Sequence, residues 1–369
     1  MIRAIYVHIP FCSYRCPYCN FVSLTNSPIS PEDYVDLVIK EAKLYGDMRV
    51  SPESLYFGGG TPTLLKPSLL GRLMEGLSGC FDFSNLREVT VERNPETYSL
   101  KELKALRDMG INRLSIGVQS FTEKGLRALG RKHTREDVIR AYEESVEAGF
   151  DNINLDLIYA YPGQSVEDVE EEIRWLGILK PRHVSAYMLT PHLPDEETLS
   201  SIYDALWKGL RALGYRRYEI SNWALEGGEC VHNLFYWTRE EFLGLGLSAW
   251  SFYGETRYGN TKNILTYAEA LQEGRKPTES VVRLGEEERF EEFLMLCLRL
   301  REGLPYALEH LIPAELEPFF EKGERGIGIK EEFMLLANEI ISEVLVYNSH
   351  RKATEVLKWR RYITMKTLP

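Results

Sequence analysis

Three cysteines near the start of the chain restrict its fold more than any other feature: Cys12-Ser-Tyr-Arg-Cys16-Pro-Tyr-Cys19, directly after the short apolar run Ala4-Ile-Tyr-Val-His-Ile9. Spaced C-x3-C-x2-C in one tight loop, they can place three thiolates on three corners of a cubane iron–sulfur cluster and leave the fourth iron without a protein ligand. A structural zinc site normally draws four ligands from two C-x2-C pairs, and the sequence has no second pair. A thioredoxin-like redox pair uses two cysteines and leaves Cys12 without a role. Cys80, Cys230 and Cys297 stand singly, and a lone cysteine is by default a small buried hydrophobe. The three-ligand cluster is the reading that uses every cysteine of the loop.

From Ala4 to about Leu213 short β-rich runs alternate with helical stretches, the pattern of repeated βα units on a parallel sheet. Strands are expected near Ala4–Ile9, Ser54–Phe57, Glu88–Glu92, Arg113–Gly117, Asn152–Ile158 and His183–Leu189. The first helix carries its start signals in order: Ser30 as N-cap, Pro31 in the first turn and Asp33 closing a capping box, then apolar Tyr34, Val38, Ala42 and Tyr45. Three helices end on a glycine followed by an apolar residue, at Gly110-Ile, Gly149-Phe and Gly214-Tyr, which is the expected helix-to-strand connection. This quasi-repeat predicts a barrel-like α/β architecture.

After Tyr215 the rhythm changes. Tyr218–Trp223 reads as one more strand, and Leu243–Trp250, rich in glycine, as a strand or turn. The stretch 274–285 reads as a linker, and Glu286–Arg301 as an amphipathic helix with Phe290, Phe293, Leu294, Cys297 and Leu300 on one side. A further helix is expected from about Lys330 to Leu345. The expected domains are therefore 1–273, a linker at 274–285, and a small mostly helical domain over 286–369.

The candidate chemistry-bearing residues cluster at strand ends, where parallel βα barrels place their sites. Consecutive glycines at Gly58-Gly59-Gly60, followed by Thr61, expose backbone polar groups that suit a zwitterionic amino-acid moiety. Glu92 ends the third strand and can accept hydrogen bonds from an ammonium or a ribose; Gln119 ends the fourth, Arg131 follows it, and Asp156 lies in the fifth. The formal net charge of −11 supplies no basic field for nucleic acid or an anionic membrane. No run of eighteen apolar residues occurs and no secretory signal is legible at Met1, so a cytoplasmic protein is expected.

C-x3-C-x2-C after a short first strand resembles the radical S-adenosylmethionine (radical SAM) superfamily. That resemblance implies a partial (β/α)6 barrel with additional strands, and a [4Fe-4S] cluster on Cys12, Cys16 and Cys19 whose open iron chelates S-adenosylmethionine; reduction of the complex yields a 5'-deoxyadenosyl radical. Tyr18 and Phe21 would pack against the cluster. Within the superfamily, Tyr6-Val-His-Ile-Pro-Phe-Cys12, Gly58-Gly-Gly-Thr-Pro-Thr63, Glu92–Pro95, Gly117-Val-Gln-Ser-Phe121 and Asp156-Leu-Ile-Tyr resemble the oxygen-independent coproporphyrinogen III oxidases and their HemW relatives over essentially the whole chain. By that resemblance Tyr6, Gly59 and Glu92 would touch the cluster-bound SAM. Gly60, Thr61, Gln119, Arg131 and Asp156 would line the second SAM site of the oxidase, or whatever replaces it. The last domain resembles the family's small winged-helix-like cap.

Two departures favour the HemW branch, whose members handle heme: Phe21 stands where the oxidases carry a further cysteine, and only eleven residues precede Cys12. A third feature agrees. Cys230-Val-His232-Asn233-Leu-Phe-Tyr236-Trp237 contains H-N-x-x-Y-W, similar to the HemW signature associated with heme. A histidine with aromatics nearby can ligate heme iron while the rings pack on the macrocycle, and Cys230 is a second candidate ligand; the plain alternative is a hydrogen-bonded core histidine. The resemblance implies a heme chaperone passing heme to recipient hemoproteins, at the membrane of the respiratory chain among others, with a homodimer as a further expectation. The alternative function is the oxidase reaction itself, oxidative decarboxylation of coproporphyrinogen III. Tyr159-Ala-Tyr161-Pro-Gly163 and Ser248-Ala-Trp250 depart from the family's usual strings, and Trp250 takes the place of a histidine. The basic stretch His350–Arg361 is read as a solvated face without a function.

Overall fold

The computed structural model describes residues 1–190 and 193–349; the basic stretch from His350 lies outside them. Six parallel strands occupy the expected places: β1 (Ile2–Ile9), β2 (Val50–Gly59), β3 (Glu88–Arg93), β4 (Arg113–Gln119), β5 (Asn152–Tyr159) and β6 (His183–Met188). Their inward positions are mostly polar and their outward ones apolar, so Ile5, Val7, Leu55, Val91, Leu114, Ile116, Leu155 and Val184 are buried in one core with the surrounding helices.

The helices that follow the first strands are α1 (Pro31–Lys43), α2 (Pro67–Ser78), α3 (Leu100–Asp108), α4 (Glu123–Ala128), α5 (Arg135–Glu147), α6 (Val166–Leu179) and α7 (Glu196–Ala212). At the α1 start Ser30 Oγ accepts from Asp33 N at 3.1 Å and Pro31 fills the first turn as expected, but the capping box does not close: Asp33 accepts from the Ser30 hydroxyl at 2.6 Å rather than from its backbone N–H. Its face of Tyr34, Val35, Val38 and Ala42 is buried against the sheet; Tyr45 is buried too but lies beyond the helix end. Gly110, Gly149 and Gly214 take φ of +89°, +92° and +92°, the left-handed conformation expected of them after α3, α5 and α7.

The second half extends the sheet at both edges. Beyond β6 lie β7 (Arg216–Glu219) and β8 (Asn222–Ala224), antiparallel. The single strand expected at Tyr218–Trp223 is thus two: the Glu219 carboxylate accepts from Ser221 N at 3.3 Å and from the Asn222 amide, which folds the chain back on itself. Next come the short helix α8 (Val231–Trp237) and three strands on the far side of β1: β9 (Phe242–Leu245), β10 (Trp250–Tyr253) and β11 (Thr256–Asn260). After α9 (Ile264–Gln272), the stretch expected as a linker holds a strand instead, β12 (Thr278–Arg283), paired antiparallel with β11. Its β-branched Thr278, Val281 and Val282 favour the pleated state over a loop. Among the described residues the strand order is β12-β11-β10-β9-β1-β2-β3-β4-β5-β6-β8-β7, parallel from β9 to β6.

The C-terminal region contains α10 (Glu286–Arg299), 3-10 turns, a two-stranded ribbon β13 (Phe320–Lys322) and β14 (Ile327–Ile329), and α11 (Ala337–Asn348). It does not stand apart. Phe290, Leu294, Met334 and Ile340 belong to the same buried cluster as the sheet, and buried Arg217 of β7 pairs with Glu331 at 2.8 Å.

Candidate functional site

The carboxyl ends of the parallel strands open into one cavity of about 1040 Å³, and all three cysteines of the loop line it. The loop is pinned at its base: Cys12 N donates to Leu24 O at 3.0 Å and Leu24 N to Pro10 O at 2.7 Å, so residues 12–24 leave and rejoin the end of β1. At its tip Cys19 N donates to Cys16 O at 3.1 Å, a tight turn. Gly130, at φ +65°, lies so close under Pro17 that a Cβ there would come within 2.8 Å of the proline ring. The next residue, Arg131, points back and donates from Nη1 to Cys16 Sγ at 3.3 Å; Thr61 Oγ1 is 3.6 Å from Cys12 Sγ. Burial pushes the Cys12 thiol up from its ordinary value.

These residues fit a cubane cluster. Each thiolate of such a cluster sits on a different iron, so the sulfurs surround a volume instead of meeting at a point. Arg131 adds positive charge and a donor beside the sulfurs, which favours the thiolate form.

The wall beside the loop is built from the ends of β2 to β5. Gly59 (φ +113°) and Gly60 press the end of β2 onto that of β1: a Cβ on Gly60 would come 2.5 Å from Phe11 O. The N–H groups of this turn are already used, Gly59 on Glu92 Oε2 (3.0 Å), Gly60 on Ile9 O (2.8 Å) and Thr61 on Phe11 O (2.7 Å). Of the backbone N–H and C=O groups expected to be bare here, the N–H groups are thus taken within the protein, and carbonyl oxygen is the kind of backbone group that suits an ammonium. Glu92 also accepts from Tyr56 OH at 2.9 Å on its other oxygen. Burial, with Asp156 nearby, pushes the Glu92 carboxyl up to about 7. Asp156 accepts from Ser115 Oγ and Asn154 Nδ2, both at 2.9 Å, and burial raises its carboxyl as well. Gln119 ends β4 in the left-handed region, φ +67°, and faces the cavity. Tyr6 lines the cavity with its hydroxyl on His8 Nδ1 at 3.1 Å, while His8 Nε2 donates to Val22 O at 2.8 Å.

Several of these partners escaped the sequence reading. Asn94 joins Arg131 Nη2 (2.9 Å) to Thr61 Oγ1 (3.2 Å), and Ser115 and Asn154 hold Asp156. The signal for Asn154 was present, since it stands two residues before Asp156 on the same face of β5. Arg113, at the start of β4 and 1% exposed, also lines the cavity, its Nε without a hydrogen-bond partner. Tyr18 packs with Leu129, Ile158 and Tyr161 as well as lining the cavity. Phe21 lines the cavity and is 64% exposed.

At the other end of the cavity stands α8. The Glu88 carboxylate accepts from Val231 N and His232 N, each at 3.0 Å, at the positive end of the helix. His232 is 1% exposed and lies between Ser54 Oγ (2.9 Å from Nδ1) and Tyr236 OH (2.8 Å from Nε2). A neutral imidazole has one N–H and one lone pair. In either tautomer both are spent on these partners, and burial, with Arg113 nearby, pulls the imidazole down to about 3. His232, expected from sequence as a heme contact, thus lines the cavity with both ring nitrogens hydrogen-bonded within the protein. Cys230 is fully buried, with its thiol pushed up to about 12 by burial, and it is not part of the cavity lining. Asn233, Tyr236 and Trp237 line it together with His232, next to Phe242 and Trp250.

The parallel sheet with a cysteine loop after β1, and a glycine turn after β2, define a radical SAM protein, and the radical SAM superfamily profile matches residues 6–176. Across nearly its whole length the chain is 32% identical to the heme chaperone HemW of Bacillus subtilis, covering 93% of this chain and 99% of that one. It is 34% identical to heme chaperone HemW of Lactococcus lactis (95% and 92% covered), and 32% to that of Escherichia coli (82% and 84%). The chain belongs to the HemW family. Its fold matches the solved coproporphyrinogen III oxidase HemN of Escherichia coli, with a TM-score of 0.81 at 23% identity over 94% of this chain and 90% of that one.

Proposed function

We propose that this chain is a heme chaperone, binding heme in the cavity at the strand ends and releasing it to apo-hemoproteins. The observation that carries the reading is that one cavity joins the three cysteines to Asn233, Tyr236 and Trp237 of the H-N-x-x-Y-W string. Cys12, Cys16 and Cys19 would hold a [4Fe-4S] cluster, which with S-adenosylmethionine supplies one-electron chemistry when both are bound. The chain's own parts divide accordingly. Glu92 and the Gly59–Gly60 turn take the ammonium end of SAM; Thr61, Gln119, Arg131 and Asp156 shape the neighbouring space. His232 holds α8 against β2 and thereby fixes Tyr236 and Trp237 at the wall. Recipient hemoproteins, including membrane-bound ones, and a second copy of the chain are the proposed partners; no helix among the described residues is long and apolar enough to cross a membrane.

The likeness to HemN favours a second reading, the oxidase reaction. Phe21, in place of a further cysteine, speaks for the chaperone. Anaerobic titration of the cluster-reconstituted protein with hemin, followed at the Soret band and then by adding an apo-hemoprotein, tests the proposal. Saturable binding and transfer are expected. No saturable binding, or conversion of coproporphyrinogen III with release of 5'-deoxyadenosine, overturns it.

A further inference from the structure

We infer that the seat for the porphyrin plane is Trp250, with Lys262 as the anchor for a ring carboxylate; this rests on the heme reading above and deepens it. Trp250 opens β10 and pairs with Gly259 of β11. Three successive atoms of its six-membered ring lie within 3.0 Å of where a Gly259 Cβ would be, so the indole lies flat on bare backbone that any side chain would block. Its other side is open: the residue is 41% exposed and lines the cavity. Gly244 is equally required, because a Cβ there would come 2.0 Å from the Trp250 carbonyl oxygen. Two glycines thus hold an aromatic platform at the cavity wall, facing the same space as Tyr236, Trp237 and Phe242. A tryptophan held this way has little rotamer freedom left to lose when a flat ligand stacks on it.

Charge narrows the ligand class. Ser248 N donates to Thr261 O and Asn260 N to Ala249 O, both at 2.9 Å, so the chain next to Trp250 runs alongside the residues leading into Lys262. Lys262 lines the cavity, is exposed and makes no ion pair among the described residues. The other cation on this wall, Arg257, is committed to Glu292, with Nε 3.1 Å from Oε1. A flat aromatic ligand bearing an anionic edge matches one open indole beside one free ammonium, and a carboxylated metalloporphyrin is such a ligand. With both His232 nitrogens hydrogen-bonded within the protein, stacking and charge are the contacts this seat supplies to the macrocycle.

Hemin and its dimethyl ester, which lacks the free carboxylates, separate the two contacts in the full-length, cluster-reconstituted protein. Trp250→Ala is expected to weaken hemin binding about tenfold, and Trp250→Phe less, with unchanged thermal melts. Lys262→Met is expected to weaken hemin about fivefold at low salt and leave the diester unaffected. Wild-type-like hemin affinity in both Trp250 variants overturns the platform, and equal weakening of hemin and diester by Lys262→Met overturns the anchor. A wild-type protein that binds neither compound overturns the heme reading itself.

Discussion

At the cysteine end of the cavity, polar atoms are left over for a ligand; at the His232 end both imidazole nitrogens are already paired. Each Glu92 oxygen accepts one bond and keeps room for another, Arg131 Nε is buried without a partner, and the glycine turn presents carbonyl oxygens. Around His232 the polar contacts of the ring and of the start of α8 close within the protein, from Glu88 through the α8 backbone to Ser54 and Tyr236, and Arg113 Nε is the buried atom nearby without a partner. Burying a polar group without a partner costs about 1–3 kcal/mol, so a polar ligand that pairs with such an atom recovers part of that cost at the first end. At the second, the imidazole needs nothing added. That end offers a visitor an aromatic surface, and its polar residues serve to hold that surface still.

Breaking the first end produces the largest effects. Cys16→Ser removes the sulfur that Arg131 touches and one of three cluster ligands; iron and sulfide content after reconstitution should fall to near zero, against full loading in wild type. Loading that survives would mean that the loop does not hold the cluster. Glu92→Gln comes next. It keeps the shape but loses the charge facing an ammonium, and SAM binding measured by equilibrium dialysis should weaken by about tenfold or more. The same residue sets a pH dependence. With its carboxyl pushed up to about 7, the ionised form that attracts an ammonium is present above that value and lost as pH falls through it. Wild-type SAM affinity should therefore drop about tenfold from pH 8 to pH 6, and that slope should vanish in Glu92→Gln. An equal slope in the variant would assign it to another group.

The contrast between the two ends also explains what could be read from sequence. The strand-to-helix rhythm, the capped start of α1 and the glycines that end α3, α5 and α7 are local signals, and local signals are legible. So are Cys12, Cys16 and Cys19, since a loop of that length keeps its residues together whatever the rest does. The closure of His232 was hidden, because Ser54 lies 178 positions away in sequence and only the sheet brings it to the imidazole. The turn between β7 and β8 was missed for a related reason: Glu219 and Asn222 look like ordinary strand residues until their hydrogen bond is seen. At 274–285, glycine and proline suggested a linker, but β12 had an open partner strand in β11, and an available edge outweighs a weak loop composition. Trp250 was noted only as a histidine lost; its platform depends on Gly259 across the ladder, a pairing that sequence alone does not display.

At the second end, smaller effects sharpen the comparison. His232→Gln removes an imidazole hydrogen-bonded on both sides and should lower stability to urea by about 2 kcal/mol, from two disturbed buried bonds. Hemin bound to this variant should keep its wild-type Soret maximum; a shifted maximum would make His232 an iron ligand and require the Ser54 or Tyr236 contact to open. Tyr236→Phe is the finest test, because it removes only the hydroxyl on Nε2 and leaves the aromatic wall in place. About 1 kcal/mol of stability should be lost and hemin affinity should hardly move. The Nδ1 contact to Ser54 then remains to orient the ring, and Nε2 becomes the one nitrogen free to approach a metal. If that variant alone acquires a histidine-ligated heme spectrum, Tyr236 is what keeps the imidazole from the iron in wild type, and the closed end is a guarded one.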